Sequence, residues 1–296
     1  MMIDQTTGVT TPQGFLAAGV TAGLKKSGKP DLALVVSQGP QYTAAGVFTS
    51  NRFPAAPVQW SRQVLVDGQL RAVVLNSGSA NACTGSQGQA DAQSMAEQVA
   101  ALIGVEPSEV GVCSTGMIGL MVPMDKMSAG ITQVAALLST EGGEAAAKAI
   151  MTTDTVHKQA SYTSAAGWRI GGMAKGAGML APALATMLVV ITTDVQLTAA
   201  QADHALRGSC AKSFDRADSD GCMSTNDSVI LLANGASEIP ADQEFYTALD
   251  VVCISLARQL IADAEGAEHA ITITVHSAAS EDDALEVARA IGRSNL

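Results

Sequence analysis

The sequence predicts a protein of mixed α and β structure, with strands and helices interleaved along one chain. Three observations carry this. Short apolar runs bounded by Gly, Ser, Pro or Asn recur, segments of helical period lie between them, and no repeat or linker divides the 296 residues. Residues 31–36, 43–49 and 71–76 read as strands. Residues 91–103 read as a helix, with Met95, Val99, Leu102 and Ile103 on one face and Gly104 as its stop. Residues 110–113 form a strand running into Ser114-Thr115-Gly116, followed by helices at about 124–138 and 144–151. Residues 168–173 read as a strand ending in the loop Lys175-Gly-Ala-Gly-Met, and residues 186–192 as a β-branched, buried strand. A helix at 199–214, a strand at 228–233, a long helix at 245–264 and a strand at 271–275 follow. The last helix starts near Ser280, where Glu281, Asp282 and Asp283 suit its positive N-terminal end. Periodicity leaves two architectures open: a doubly wound sheet, or stacked sheets flanked by helices.

Composition removes several function classes. Hydrophobic residues are 47% and charged ones 15%, which excludes a disordered chain. Aromatics are 3% and glycines number 28, so the core is expected to use small and aliphatic side chains with close backbone approaches. A formal net charge of -11 argues against nucleic acid as a partner. The most apolar stretch, 179–191, is short and carries Pro182 and Thr186, so no membrane span is expected. No basic segment followed by an apolar one opens the chain, and a cytoplasmic location is expected. Cys83, Cys113, Cys210, Cys222 and Cys253 are odd in number and lack a C-x-x-C pair, as reduced thiols would be. His157, His204, His269 and His276 show no ligand spacing, and no metal site is expected.

The segment from Lys175 to Asp194 carries the chemistry. Two glycines after a lysine make a turn, Pro182 restricts the backbone, and small Ala185 precedes Thr186 at the head of a strand. A threonine hydroxyl needs a base to become a nucleophile. Cutting the Ala185–Thr186 bond would free the threonine's own α-amine, whose pKa of about 7.7–8.0 suits that task. On these facts alone, Thr186 is better explained as a strand former and Lys175-Gly-Ala-Gly as an ordinary loop. A phosphate cradle at Lys175–Gly178 lacks both P-loop spacing and a strand-to-helix setting. Cys83 and Cys113 have no neighbouring histidine and read as small packed residues. Asp218 and Asp220 read as a solvated loop rather than a carboxylate pair.

Lys175-Gly-Ala-Gly-Met-Leu-Ala-Pro-Ala-Leu-Ala-Thr186-Met-Leu188 resembles the self-cleavage and active-site motif of the ornithine acetyltransferase family. Four more segments resemble that family, in its order: Asn76-Ser-Gly-Ser-Ala-Asn81-Ala-Cys-Thr-Gly85, Cys113-Ser-Thr-Gly-Met-Ile-Gly119, Ala149-Ile-Met-Thr-Thr-Asp154 and Ser224-Thr-Asn-Asp227. The likeness covers the chain from Gly14 onward.

The resemblance implies an α+β fold, two stacked sheets covered by helices in an αββα sandwich. It implies self-cleavage at Ala185–Thr186 into an α chain, 1–185, and a β chain, 186–296, packed as one catalytic unit. Thr186 is implied as nucleophile of both cleavage and acetyl transfer, with Thr115 and Gly116 as the oxyanion hole. Thr153 (with Thr152 beside it), Lys175, Thr186 and Glu265 are implied as substrate-binding residues. The implied reaction moves acetyl from N2-acetylornithine to glutamate with no cofactor; some family members also take acetyl-CoA as donor. The implied assembly is a heterotetramer, two α and two β chains. The rival from fold-level chemistry is an N-terminal-nucleophile amidase or aminopeptidase, in which water is the acceptor. Family chains also continue past the point matching Asn295-Leu296, with an Asp-Pro-Asn-Trp-Gly-Arg motif and a C-terminal Asn and Thr that reach substrate. Without that segment an unpaired sheet edge and weak substrate binding are expected.

Overall fold

The computed structural model describes residues 1–179 and 187–294. Its elements in chain order are β1 (Phe15–Val20), β2 (Leu32–Ser37), β3 (Thr43–Phe48), α1 (Ala56–Val64), β4 (Ala72–Ser79), α2 (Gly85–Ile103), β5 (Val110–Met117), α3 (Met124–Ala136) and α4 (Gly143–Ala149). There follow β6 (Lys158–Thr163), β7 (Arg169–Lys175), β8 (Leu188–Thr193), α5 (Ala199–Lys212), β9 (Ser228–Ala233), α6 (Gln243–Ala262) and α7 (Glu281–Gly292).

Two sheets form. One has four strands in the order β1-β2-β4-β5, the other five in the order β3-β9-β8-β7-β6. Alternation along each strand sends one set of side chains between the sheets and the other outward. Phe15, Ala33, Val35, Val73, Leu75 and Cys113 of the first sheet meet Met173, Leu188, Val190, Ile230 and Leu232 of the second. The first sheet's outer face, Leu32, Leu34, Val74 and Val112, packs under Met95 and Val99 of α2 and Met127 and Ile131 of α3. The second sheet's outer face, Ile170, Val189, Ile191, Val229 and Leu231, packs under Leu206 of α5 and Leu249, Val252 and Leu256 of α6. The architecture is therefore the stacked α+β sandwich, with helices on both sides, and not a doubly wound sheet.

Small residues let these layers approach. A Cβ on Gly19 of β1 would lie 2.1 Å from the Ala145 carbonyl oxygen of α4, so this helix can reach the strand only over a glycine. At the other end of the chain the alternation of Ile271, Ile273 and Val275 does not produce the expected strand. Residues 271–275 pair with no neighbour among the described residues and Ile271 is exposed. Alternation sets only the period; a strand also needs an edge to take up its N–H and C=O groups. α7 follows, capped as expected: the Ser280 hydroxyl accepts from the Asp283 N–H at 3.1 Å. The expectation that no stretch reaches membrane-span length also needs correction. α6, with 20 residues, is long and apolar enough to cross a bilayer by length and composition. Here its Phe245–Leu249–Val252–Leu256–Leu260 face is fully buried against the second sheet.

Candidate active site at the paired strand ends

Topology brings three strand ends together. β7 runs antiparallel to β8, so Lys175 at the end of β7 pairs with Leu188 at the start of β8. β9 runs parallel to β8, so Ser228 pairs with Leu188 from the other side. From the first sheet, β5 delivers Ser114-Thr115-Gly116 at its C-terminal end. Thr186 and Ala185 lie outside the described residues; Met187, bonded to Thr186, is the first described residue of this corner and is buried.

Gly116 can only be glycine. Its φ is +130°, and a Cβ would meet the Gly78 backbone at 2.5 Å. The two glycines face each other across β4 and β5, where the register shifts between Gly78 and Ser79. That bulge ends regular pairing and turns the last residues of β5 away from the sheet. Thr115 stays buried while Gly116 is exposed. The Lys175 ammonium donates to Thr115 Oγ1 at 3.2 Å. A hydroxyl that accepts from a cation keeps its own proton free to donate, and is polarised to do so.

Lys175 is buried, and burial pushes its ammonium below the usual lysine value. Asp154, Asp227 and Glu265 oppose that shift, while Lys158 adds to it. Asp154 is held by two groups of this corner: Lys158 Nζ at 2.6 Å and the Gly176 N–H at 2.7 Å. Burial raises the Asp154 carboxyl, but Lys175 and Lys158 outweigh it and leave it below the usual value. Lys158, itself fully buried, also meets Asp263 at 2.6 Å. Asp263 follows α6, so this ion triad ties the α6 end to the turn after α4. The Glu265 N–H donates to the Ala177 carbonyl at 2.7 Å, and the Glu265 carboxylate stands 3.0 Å from where a Gly178 Cβ would be. Glycine at 178 is what admits Glu265 to the Lys175 loop.

The site residues expected from the sequence thus fall into two groups. Thr115, Gly116, Lys175 and Glu265 gather at one corner. Thr153 is exposed on the turn between α4 and β6, one residue from Asp154. Thr152 beside it donates its N–H to Asp154 Oδ2 at 2.9 Å. Asp218 and Asp220 make turns instead of a dyad: Asp218 accepts from Gly221 N, and Asp220 from Cys222 N and Met179 N. Cys113 is packed between the sheets, where burial pushes its thiol up to about 12, which removes it as a nucleophile.

Sequence reasoning assigned no role to Asn226 and Asp227, although it singled out their segment. Asn226 Nδ2 donates to the carbonyls of Ala80 at 2.6 Å and Ser114 at 2.8 Å. Asp227 Oδ1 accepts from the Met187 N–H at 3.0 Å. The cue was the run of polar residues directly before a fully apolar strand, since polar groups buried there must find partners.

An αββα sandwich with a polar corner where its two sheets end defines a fold class. It is similar, with a TM-score of 0.52, 13% identity and 90% of each chain covered, to an L-aminopeptidase D-Ala-esterase/amidase from Ochrobactrum anthropi described as a variant of the Ntn-hydrolase fold. The ArgJ family model matches residues 16–296, and the chain belongs to the ArgJ family. The arginine biosynthesis bifunctional protein ArgJ of Streptomyces avermitilis is 58% identical over 289 residues, covering 97% of this chain and 75% of that protein. The ornithine acetyltransferase of Mycobacterium tuberculosis, solved with ornithine, is 52% identical with a TM-score of 0.61, over 63% of this chain and 99% of that one.

Proposed function

We propose that this chain transfers the acetyl group from N2-acetylornithine to glutamate through an acetyl ester on Thr186, after cutting its own backbone at Ala185–Thr186. As a member of its family it is a transferase of arginine biosynthesis. In the first half-reaction the Thr186 Oγ attacks the acetyl carbonyl and its α-amine takes the hydroxyl proton. Thr115 Oγ–H and Gly116 N–H hold the oxyanion; the C–N bond then breaks, and ornithine leaves with the proton from the α-amine. In the second, the glutamate amine attacks the ester and the same groups run in reverse. Donor and product are both amides of an amino acid, so no energy source is required. Lys175 and Glu265 supply opposite charges for a substrate carrying both a carboxylate and an amine. Thr153 is kept as a substrate contact by resemblance alone. Acetyl-CoA is included as a second donor, with glutamate-dependent release of free coenzyme A as its test.

The observation that carries the reading is the bond from Lys175 to Thr115, the neighbour of Gly116, with Lys175 paired to Leu188, two residues after Thr186. A second supports the cut. The Mycobacterium structure matches nearly all of its own length to 63% of this chain, and residues 1–185 are 185 of 296, about 63%. The α chain, 1–185, and β chain, 186–296, remain packed as one unit in this reading, since β7 and β8 pair along their lengths on either side of the cut. Two such pairs would make a heterotetramer, to be read from the native mass.

Two measurements test the proposal. N-terminal sequencing of the purified protein should give a fragment beginning Thr-Met-Leu-Val, 111 of the 296 residues (296 minus 185). Initial rates at several fixed glutamate concentrations should give parallel double-reciprocal lines in acetylornithine. Intersecting lines, or acetate release without any need for glutamate, would contradict it, the latter in favour of an amidase.

A further inference from the structure

After α6 the chain carries an apolar segment that neither sheet uses. Residues 270–276 read Ala-Ile-Thr-Ile-Thr-Val-His, and every residue from Ile271 to Val275 is β-branched. Extended pairing would put Ile271, Ile273 and Val275 on one face and Thr272 and Thr274 on the other. The apolar face already has a helix against it: Ile273 Cδ1 lies 3.5 Å from where a Cβ on Gly292 of α7 would be. The main chain finds no such cover. Among the described residues, 268–279 make no backbone hydrogen bond with any strand. The segment thus has the composition of a strand, a helix on one face, and no neighbour at either edge.

Exposed edges are usually guarded by a charge, a proline or a bulge. From Ala270 to Val275 there is no charged residue, no Pro and no Gly. Ile271 is 83% exposed, and Val287 and Ile291, four residues apart on one stripe of α7, are 47% and 54% exposed. The segment is also its own complement when run antiparallel. A register centred on Ile273 sets Ile271 opposite Val275, Ile273 opposite Ile273 and Thr272 opposite Thr274. A slip of one residue would set Ile and Val against Thr. The same twofold axis keeps the α7 helices of both copies on one face and runs them antiparallel. Glu281, Asp282 and Asp283 open α7, and Arg289 and Arg293 close it, so each acidic start meets a basic end. Glu281 and Arg293 also pair within the chain, with Arg216 and Asp218, which fixes the helix to the body of the molecule.

We propose that residues 270–276 and α7 form a docking surface for a second copy of this chain, the two copies joined by an antiparallel strand pair centred on Ile273 and covered by two antiparallel α7 helices. Pairing gives the N–H and C=O groups of one edge the partners they lack in the single chain. A two-stranded ribbon is marginal by itself, and the two helices supply the apolar cover that it needs. Thr186 and the groups around Lys175 take no part, so this surface stands or falls apart from the acetyl-transfer reading.

Cysteine cross-linking reads the register directly, in a background where the two exposed cysteines, Cys83 and Cys222, are replaced by serine. Under an added thiol oxidant, Ile273→Cys should link two copies, giving a species of twice the mass of the chain or fragment that carries it. Ile271→Cys alone should not link, because residue 271 of one copy lies four residues along the strand from residue 271 of the other. That is about 13 Å, beyond the roughly 7 Å that a disulfide can span. Ile271→Cys combined with Val275→Cys should link again, and serves if Ile273→Cys does not fold. In the otherwise unaltered protein, Ile271→Glu changes an exposed side chain and places a carboxylate opposite Val275 of the second copy. Sedimentation should show one association step weakened at least about 10-fold in Kd. No link in either Ile273→Cys or the double variant would overturn the proposal and leave this edge to a strand from another source. So would equal linking in Ile271→Cys alone, or unchanged association in Ile271→Glu.

Discussion

A threonine hydroxyl that accepts from a buried ammonium differs from one facing water. Lys175 makes the Thr115 oxygen an acceptor and leaves its proton free to donate. Thr115→Ala should therefore lower kcat by about 100-fold or more, the usual cost of losing one oxyanion donor, with KM little changed. Equal kcat in the variant and wild type would remove that role. Lys25 offers a second test. Its ammonium donates to the carbonyls of Pro30 and Met151, both at 2.6 Å. Burial lowers it from 10.5 to about 8; Asp31 and Asp154 resist and Lys175 assists. A folded value below the unfolded one means that this group opposes folding under pH 8, and that the opposition fades as pH rises from 8 towards 10.5. A lysine-selective NMR titration should find its midpoint near 8, whereas a midpoint above about 10 would contradict the burial. At this scale the residues alone gave a glycine turn after a strand at Ser114-Thr115-Gly116 and a loop at Lys175–Gly178, and only the family resemblance attached roles to them. The bond of Asp227 to Met187 could not be read at all: it spans 40 residues and exists only once β8 and β9 pair.

Elements were legible where their pattern was strong. The strand at 228–233 and the start of the helix at 124 match the observed bounds, and Gly104 ends α2 with φ +72°. β1, α1 and β6 were missed, each for a physical reason. β1 reads Phe-Leu-Ala-Ala-Gly-Val, diluted by the small residues that α4 requires. α1 begins at Ala56 with Pro57 in its first turn, and its nine residues are too few for periodicity to show. β6 opens with Lys158 and Gln159, polar side chains that look exposed but are buried, because Lys158 enters the triad with Asp154 and Asp263. The triad predicts its own test. Lys158→Met would take from Asp154 and Asp263 the cation that bonds both and should destabilise the protein by about 3–5 kcal/mol in denaturant titration. The Lys158 ammonium helps hold both carboxyls below 3.8. Their contribution is thus present above that pH and is lost as pH falls through the lower folded values. Without Lys158 those values rise, so acid unfolding should begin at higher pH in the variant. An unchanged acid midpoint would show that the triad does not bear on stability.

Over the whole molecule, the sandwich places the proposed cut between two strands that stay paired. β7 and β8 share six register positions, Ile170↔Thr193 to Lys175↔Leu188, so separating the chains would require opening the centre of the five-stranded sheet. The two fragments should therefore co-elute under native conditions and part only in denaturant. The class of fold followed from interleaved strands and helices; stacking did not, because alternation tells which side chains share a face but not what covers it. The resemblance resolved that choice, and the three apolar layers bear it out. The central claim is that one hydroxyl, that of Thr186, carries the acetyl group between substrates. Its most direct test is to mix the enzyme with N2-acetylornithine without glutamate, quench in acid and determine fragment masses. The account predicts a smaller fragment heavier by one acetyl group, mapped to its N-terminal threonine, that returns to its original mass when glutamate is added. A smaller fragment that stays unmodified while transfer proceeds at its full rate would contradict it.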